Sequence, residues 1–241
     1  MNPIGADYSH WDGLVDWAQA KLSGISFAFC KATQGISFVD SQYARNNQEM
    51  KRVSILRGAY HYYLAAGDPI NQARHFAANL IDIELPPVLD LEDTYNIPSN
   101  IASRVYSFLI ELEKIVNKRP VIYTSSGFWN ARMSPAIFWG DTYPLWVANY
   151  RSDAGPLVPL PWAPTNWTFW QFTKMGKASK YGSRKASVDL NVFNGSMAEL
   201  RDFCGLPGGP TETISTKSIP SITYRIPVEQ FTQTNSYVVR N

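Results

Sequence analysis

Residues 86–96 read PPVLDLEDTYN. Two prolines open an apolar run, and three carboxylates close it within four residues: Asp90, Glu92 and Asp93. Like charges do not gather at the end of a buried strand without a use, because crowding them costs free energy. Residues two apart on a strand share a face and lie about 6.6 Å apart along the chain. Asp90 and Glu92 therefore point one way, and Leu89 and Leu91 the other. In a closed barrel of strands and helices, the C-terminal strand ends are where active sites are built. The motif thus predicts a fourth barrel strand that ends in chemistry.

The sequence on either side fits that reading. Upstream, PIGADYS, ISFAFCKAT and ILRGAYHYYL are strand-like, and helix-like stretches near LVDWAQAKL and DSQYARNNQEMKRV separate them. Asp68-Pro69 supplies an N-cap and a first-turn proline for a helix through about Ile83. Downstream, Ile101, Val105, Phe108, Leu109, Leu112, Ile115 and Val116 recur at helical spacing, and RPVIYTS is the fifth strand. Repeated strand–helix units indicate a parallel sheet, and their number favours a barrel. The alternation then stops. YPLWVANY, NWTFWQFT and ASVDLNVF are strand-like, but proline-rich loops separate them, and SMAELRDFC closes with a helix. The expected fold is an α/β, incomplete TIM-like barrel: about five β/α units followed by three helix-poor strands. Residues 1–206 form the barrel domain, 207–221 a Pro/Gly/Thr/Ser-rich linker, and 222–241 a short tail.

At 241 residues and 45% hydrophobic composition, the chain can bury a substantial core as one large domain. Its 22 basic and 20 acidic residues are scattered, which gives no basis for nucleic-acid binding. No apolar run approaches the roughly 18 residues of a membrane span, so membrane insertion is not expected. The N-terminal stretch lacks the basic and apolar regions of a signal peptide, although a removed leader would leave the same sequence. Cys30 and Cys204 read as two buried thiols, with a single bridge as the alternative. The histidines His10, His61 and His75 have no ligand spacing, so neither metal nor cofactor is expected. Aromatic residues are abundant, with 8 Trp, 13 Tyr and 12 Phe, which suits a cleft that stacks on flat apolar faces.

Two further acids stand at comparable places: Asp7 near the end of the first strand and Asp189 on the last. First and last strands are neighbours in a closed barrel, so all four acids can meet at one mouth. Taken singly, Asp7 or Asp189 reads as a loop or helix cap rather than as a catalytic residue; their combination with Asp-x-Glu is what points to a site. Two carboxyls held close raise each other's proton affinity, and burial adds to it. One can then donate a proton while its neighbour stays ionised, the division of labour that glycoside cleavage needs. Asp93, on the opposite face, reads as a capping residue.

The chain resembles the glycoside hydrolase family 25 lysozymes, which are N-acetylmuramidases, over roughly residues 3–204. The resemblance is carried by GADYSHWDG, FCKATQG, GAYHYY, LDLED, VIYTS, PLWVANY, FWQFT and SVDLNVFNG, in that order. It implies hydrolysis of the β-1,4 bond between N-acetylmuramic acid and N-acetylglucosamine in bacterial peptidoglycan. It implies Glu92 as general acid and Asp90 as the carboxylate that assists the 2-acetamido group or stabilises the transition state. Asp7 and Asp189 would complete the acidic lining. Tyr60, Tyr62, Tyr123, Trp146 and Trp170 become candidates for sugar contact, each also suited to plain barrel packing. His61 alternates away from Tyr60 and Tyr62 and reads as structural. The family commonly has an acid where this chain has Gln34. A non-catalytic glycan-binding or structural virion protein is the competing expectation, and loss of a key acid would have favoured it. The tail, which carries no recognisable wall-binding repeat, is expected to have a protein or cell-wall partner. With no leader seen, release from an infected host or carriage by a virion is expected, in the manner of a phage lysin.

Overall fold

The structure is a computed structural model and describes residues 1–150 and 155–207. The expected linker beyond Pro207 and the tail at 222–241 lie outside the described residues. In the first half, strands β1 (Ile4–Tyr8), β2 (Ile25–Gln34), a short β3 (Phe38–Val39), β4 (Leu56–Tyr62), β5 (Val88–Asp90) and β6 (Val121–Ser125) follow in order. Between them stand helices α1 (Trp17–Leu22), α2 (Tyr43–Arg52), α3 (Pro69–Asn79) and α4 (Ile101–Val116). Then come a short α5 (Ser126–Arg132), β7 (Leu145–Ala148), β8 (Phe169–Lys177), β9 (Ser187–Phe193) and α6 (Met197–Phe203).

The strand order is β1-β9-β8-β7-β6-β5-β4-β2-β3, and β1 also pairs with β2, so eight strands close into a barrel with β3 outside the ring. The pairings from β1 through β2, β4, β5, β6 and β7 to β8 are parallel. β9 is the exception: it runs antiparallel to both β8 and β1. Residues 178–186, which join β8 to β9, are too few for a parallel crossover, which takes a dozen or more. The last third is helix-poor as expected, with only the seven-residue α5 and short 3₁₀ turns before β9 among the described residues.

Local chemistry explains the elements. Asp68 accepts from the Asn71 amide at 2.8 Å, and Pro69 opens α3. On α4, Ile101, Val105, Phe108, Leu109 and Leu112 are buried, while Ile115 lies off that face and is half exposed. Strand alternation sorts side chains into two layers. One layer packs between strands and helices and contains Ala28, Cys30, Leu89 and Ile122. The other fills the barrel: Phe27, Phe29, Val88, Trp146, Phe169 and Phe193, with Leu200 and Cys204 near the closing helix. Gly5 and Gly58 leave room for it, since a Cβ at either would stand 2.3 Å from the Phe27 ring or 2.2 Å from the Phe29 ring. Helix α6 is started by a Ser196–Glu199 capping box and brings Phe203 to 5.8 Å from Phe169. Among the described residues, the barrel interior at the α6 end is therefore packed. Both cysteines are free and buried. Among the described residues, no helix is long and apolar enough to cross a membrane.

Candidate active site

Asp7 ends the inward face of β1 and is the register partner of Asp189 across the antiparallel β1–β9 pair. Because β9 is reversed, its beginning rather than its end reaches the mouth, which is where Asp189 sits. Asp90 closes β5, in register with Tyr62 on one side and Tyr123 on the other. Glu92 follows two residues later. All four acids line one cavity of about 100 Å³, together with Tyr60, Tyr123, Trp146 and Gln171. A second chamber of about 160 Å³ shares Asp7, Tyr60 and Asp189 with it and extends toward Asp12 and Lys185.

The four carboxyls do not share one environment. Asp7 Oδ2 accepts from Asn191 Nδ2 at 2.8 Å and from Gln171 Nε2 at 3.0 Å. Those amides are themselves oriented. The indole Nε1 of Trp146 donates to Asn191 Oδ1 at 2.9 Å, and an indole can only donate. The hydroxyls of Tyr123 and Tyr150 donate to Gln171 Oε1 at 3.0 and 2.8 Å. Each amide thus turns its N–H toward Asp7, so Oδ2 is committed as an acceptor and any proton on this carboxyl must sit on Oδ1. Burial and the Asp189 charge push the proton affinity of Asp7 well above the usual range, against the two amide donors.

Asp90 is 6% exposed, and its Oδ1 has no hydrogen-bond partner among the described residues. Burial first, and the neighbouring Glu92 second, raise its proton affinity well above the ordinary value, while Lys31 opposes them. An unpaired buried acceptor is costly, so this carboxyl gains from any donor that a ligand brings. Glu92 is solvent-exposed at the rim, yet the walls of the mouth strip part of its water. That desolvation, with the charge of Asp7, raises its proton affinity against the pull of Lys31. Its exposure means that solvent screening tempers the effect. Asp189 is raised to about 6, by burial first and then by the charge of Asp12.

Lys31 is a nearly buried cation beside the Asp90–Glu92 pair. Its Nζ donates to Gln34 Oε1 at 2.6 Å and lies 4.8 Å from the centre of the Tyr62 ring. Tyr62 therefore stands at the rim beneath Lys31 and does not line the acidic cavity. Tyr60, Tyr123 and Trp146 do line it, but as floor: Trp146 is 2% exposed and stacks on Phe29 at 4.5 Å. Trp170, expected as a sugar contact, does not line the cavity. Alternation along β8 points it outward into the helix-side layer, fully buried, with Nε1 donating to the Asn149 carbonyl at 2.6 Å. Its neighbour Gln171 faces the cavity instead. Gln171, Asn191 and Asp12 were absent from the sequence-based set. Taking Phe169 as the inward residue of β8 would have found Gln171, and the antiparallel register of β9 would have found Asn191. His61 is enclosed between Phe76 and Phe108, with Thr33 Oγ1 at 2.7 Å and Gln72 Oε1 at 3.3 Å. Asp93 accepts from the Ala65 and Tyr95 amides and braces the loop after β5. No group of His, Cys, Asp and Glu side chains among the described residues is arranged to hold a metal ion.

Residues 6–181 match the model of the Glycosyl hydrolases family 25, a span that contains Asp7, Asp90 and Glu92. The chain belongs to that family. It is a glycoside hydrolase. Lysozyme M1 of Streptomyces globisporus is 34% identical over 209 residues, which cover 81% of this chain and 69% of the relative. Among solved structures, a bacterial lysozyme from Streptomyces coelicolor superposes with a TM-score of 0.76 at 31% identity, covering 85% of this chain and 97% of the other. The CTP1L endolysin follows with a TM-score of 0.68 at 26% identity, covering 84% and 70%. In this family 25 hydrolase, Asp189 and all of β9 lie beyond the matched span, and the antiparallel register with β1, the shared cavity and the Asn191–Asp7 hydrogen bond tie them to the site.

Proposed function

We propose that this family 25 hydrolase is a muramidase. It hydrolyses the β-1,4 bond between N-acetylmuramic acid and N-acetylglucosamine in bacterial peptidoglycan. The observation that carries this reading is the contrast between two carboxyls two residues apart, Glu92 open at the rim and Asp90 buried behind it with an unpaired oxygen. Glu92, its proton held by partial desolvation, donates to the glycosidic oxygen as the bond to C1 breaks. The 2-acetamido oxygen closes on C1 as positive charge grows there, and Asp90 accepts the acetamide N–H. Water then opens that ring on C1, giving its proton to the Glu92 carboxylate and restoring the acid. Asp7, fixed by Gln171 and Asn191, and Asp189 beside it supply negative potential to the cationic transition state.

The place of action is the bacterial cell wall. Delivery by lysis of an infected host, or on a virion, is part of the same proposal, supported by the likeness to an endolysin. Mass spectrometry of fragments released from purified peptidoglycan tests the function. Reducing-end N-acetylmuramic acid is the expected product. Reducing-end N-acetylglucosamine would assign the other bond, and intact glycan would return the chain to a binding role.

A further inference from the structure

The second chamber shares one lining residue, Lys185, with the outer surface of the barrel, where it lines an open groove of about 690 Å³ on the flank. One bank of the groove is the β8–β9 connection, and the other is formed by the start of α1 and the outer face of α2. Residues 174–187 read KMGKASKYGSRKAS, with five cations and no acid. Within the groove, the charged side chains are Arg45, Arg52, Arg184 and Lys185 against Asp16 and Glu49. Most of these are committed. Arg52 holds Glu49 at 2.9 Å, Arg45 donates to the Val15 carbonyl at 3.1 Å, and Asp16 caps α1. Arg184 is exposed and makes no hydrogen bond or ion pair among the described residues, and Lys185 keeps a 3.6 Å contact to Asp12 while half exposed.

The position of these two cations is built in. The carbonyl of Gly182 accepts from the Asp16 amide at 2.8 Å. Gly182 has φ +82°, and a Cβ there would stand 2.1 Å from the Asp16 carbonyl oxygen. Only glycine permits that contact, which holds the β8–β9 connection against the start of α1. Ser183 reaches Asp12 at 3.4 Å and also accepts from the Lys185 amide at 3.2 Å, fixing the wall between chamber and groove.

We propose that this groove binds the carboxylate-bearing peptide stem of the muramyl residue held at the catalytic cavity. The inference rests on the muramidase reading. A muramyl sugar carries its stem through a lactyl group on the ring, so an occupant of the groove can be covalently continuous with the sugar at the acids. The chamber that shares Asp7 and Asp189 with the catalytic cavity gives the lactyl group its path, and Lys185 and Arg184 meet the stem carboxylates in turn.

The test is Arg184→Glu in the full chain, because Arg184 is exposed and touches none of the catalytic acids. On stem-bearing peptidoglycan, KM should rise about five- to tenfold with kcat little changed. On the same glycan after an amidase has removed the stems, wild type and variant should agree within about twofold. Arg184→Lys should restore most of the difference. An equal loss on both substrates, or no loss on either, overturns the proposal. So does a loss that vanishes once phosphate polymers are stripped from walls that keep their stems, which assigns the groove to those polymers. A soluble lactyl-peptide, titrated into both proteins, reads the groove independently of turnover. If it binds wild type and not Arg184→Glu while wild type cuts no glycan, the groove stands and the muramidase reading falls.

Discussion

Strands β4 to β6 and strands β7 to β9 build opposite sides of one mouth by different means. On the first side, helices α3 and α4 cover the strands, and the cavity receives Asp90, Tyr60 and Tyr123 from positions that alternation alone dictates. On the second side little helix covers the strands, and the cavity receives Trp146, Asn191 and Gln171: Trp146 donates to Asn191, and Asn191 and Gln171 each donate to Asp7. The helix-covered side leaves its carboxyl, Asp90, short of a donor, while the helix-poor side gives two donors to one carboxyl oxygen of Asp7 on β1. A site that must move a proton at one place and hold charge still at another needs both conditions. The barrel supplies them from its two unlike halves.

The comparison breaks most sharply at Glu92. Replacing it with Gln keeps the shape and removes the proton, so turnover should fall by about 10²–10⁴-fold with the fold intact. Wall-clearing assays on purified variant check this, and a rate near wild type would remove Glu92 from the acid role.

Next in size is Asn191→Leu, which attacks the other side. Asp7 loses one of its two donors and the Trp146 indole loses its acceptor. A misplaced Asp7 should lower kcat by about tenfold to a hundredfold. The orphaned indole should cost about 1–3 kcal/mol of stability, readable as a lower Tm. Because the lost donor favoured the ionised form, the proton affinity of Asp7 should climb further, and the acid limb of the pH–rate profile should move to higher pH. An unchanged profile would mean that Asp7 does not titrate in turnover.

How legible each half was follows from the same contrast. On β5, apolar residues on one face and carboxyls on the other made the phase plain, and Asp68-Pro69 marked the start of α3 in advance. On β8 the pattern gave no phase, because Phe169 faces inward while Trp170 and Phe172 face outward, and a strand buried on both faces carries no alternation. Trp170 carries the flat ring that suggests a sugar contact, and Gln171 does not. The reversal of β9 was in principle readable from the short connection at 178–186. The Asn191–Asp7 bond was not, since it depends on the register that the reversal creates. The groove beside Lys185 was also out of reach, because α2 and the β8–β9 connection lie far apart in the chain.

A smaller effect should appear in stability at Asp189. Its folded proton affinity is raised to about 6, above the ordinary carboxylate value, so the folded state binds this proton more tightly than the unfolded one. The corresponding stabilisation is complete below about pH 4 and is lost as pH rises through 6. Asp189→Asn carries no such loss. Relative to wild type it should gain nothing at pH 4 and about 1–2 kcal/mol above pH 6, a figure reduced for partial exposure. Thermal melts of both proteins across that window decide it, and a gain that did not grow with pH would show that Asp189 is not held in this state.

The smallest catalytic effect is expected where the sequence pointed to a sugar contact and the structure places packing. Trp170 lies on the helix side of β8, 6.1 Å from the Trp167 ring, with its indole nitrogen spent on the Asn149 carbonyl. Trp170→Phe removes that hydrogen bond and some ring volume from a buried layer, a change that should cost about 1–3 kcal/mol in stability. Below the melting range its kcat/KM should stay within about twofold of wild type. Trp146→Phe, on the inward face and bonded to Asn191, offers the matched control: a similar loss of ring volume, but with Asn191 released from the bond that aims it at Asp7. If the Trp170 variant lost activity as steeply as the Trp146 variant at equal stability, the two faces of the helix-poor strands would not be separable, and the division between a packing face and a site-building face would fail there.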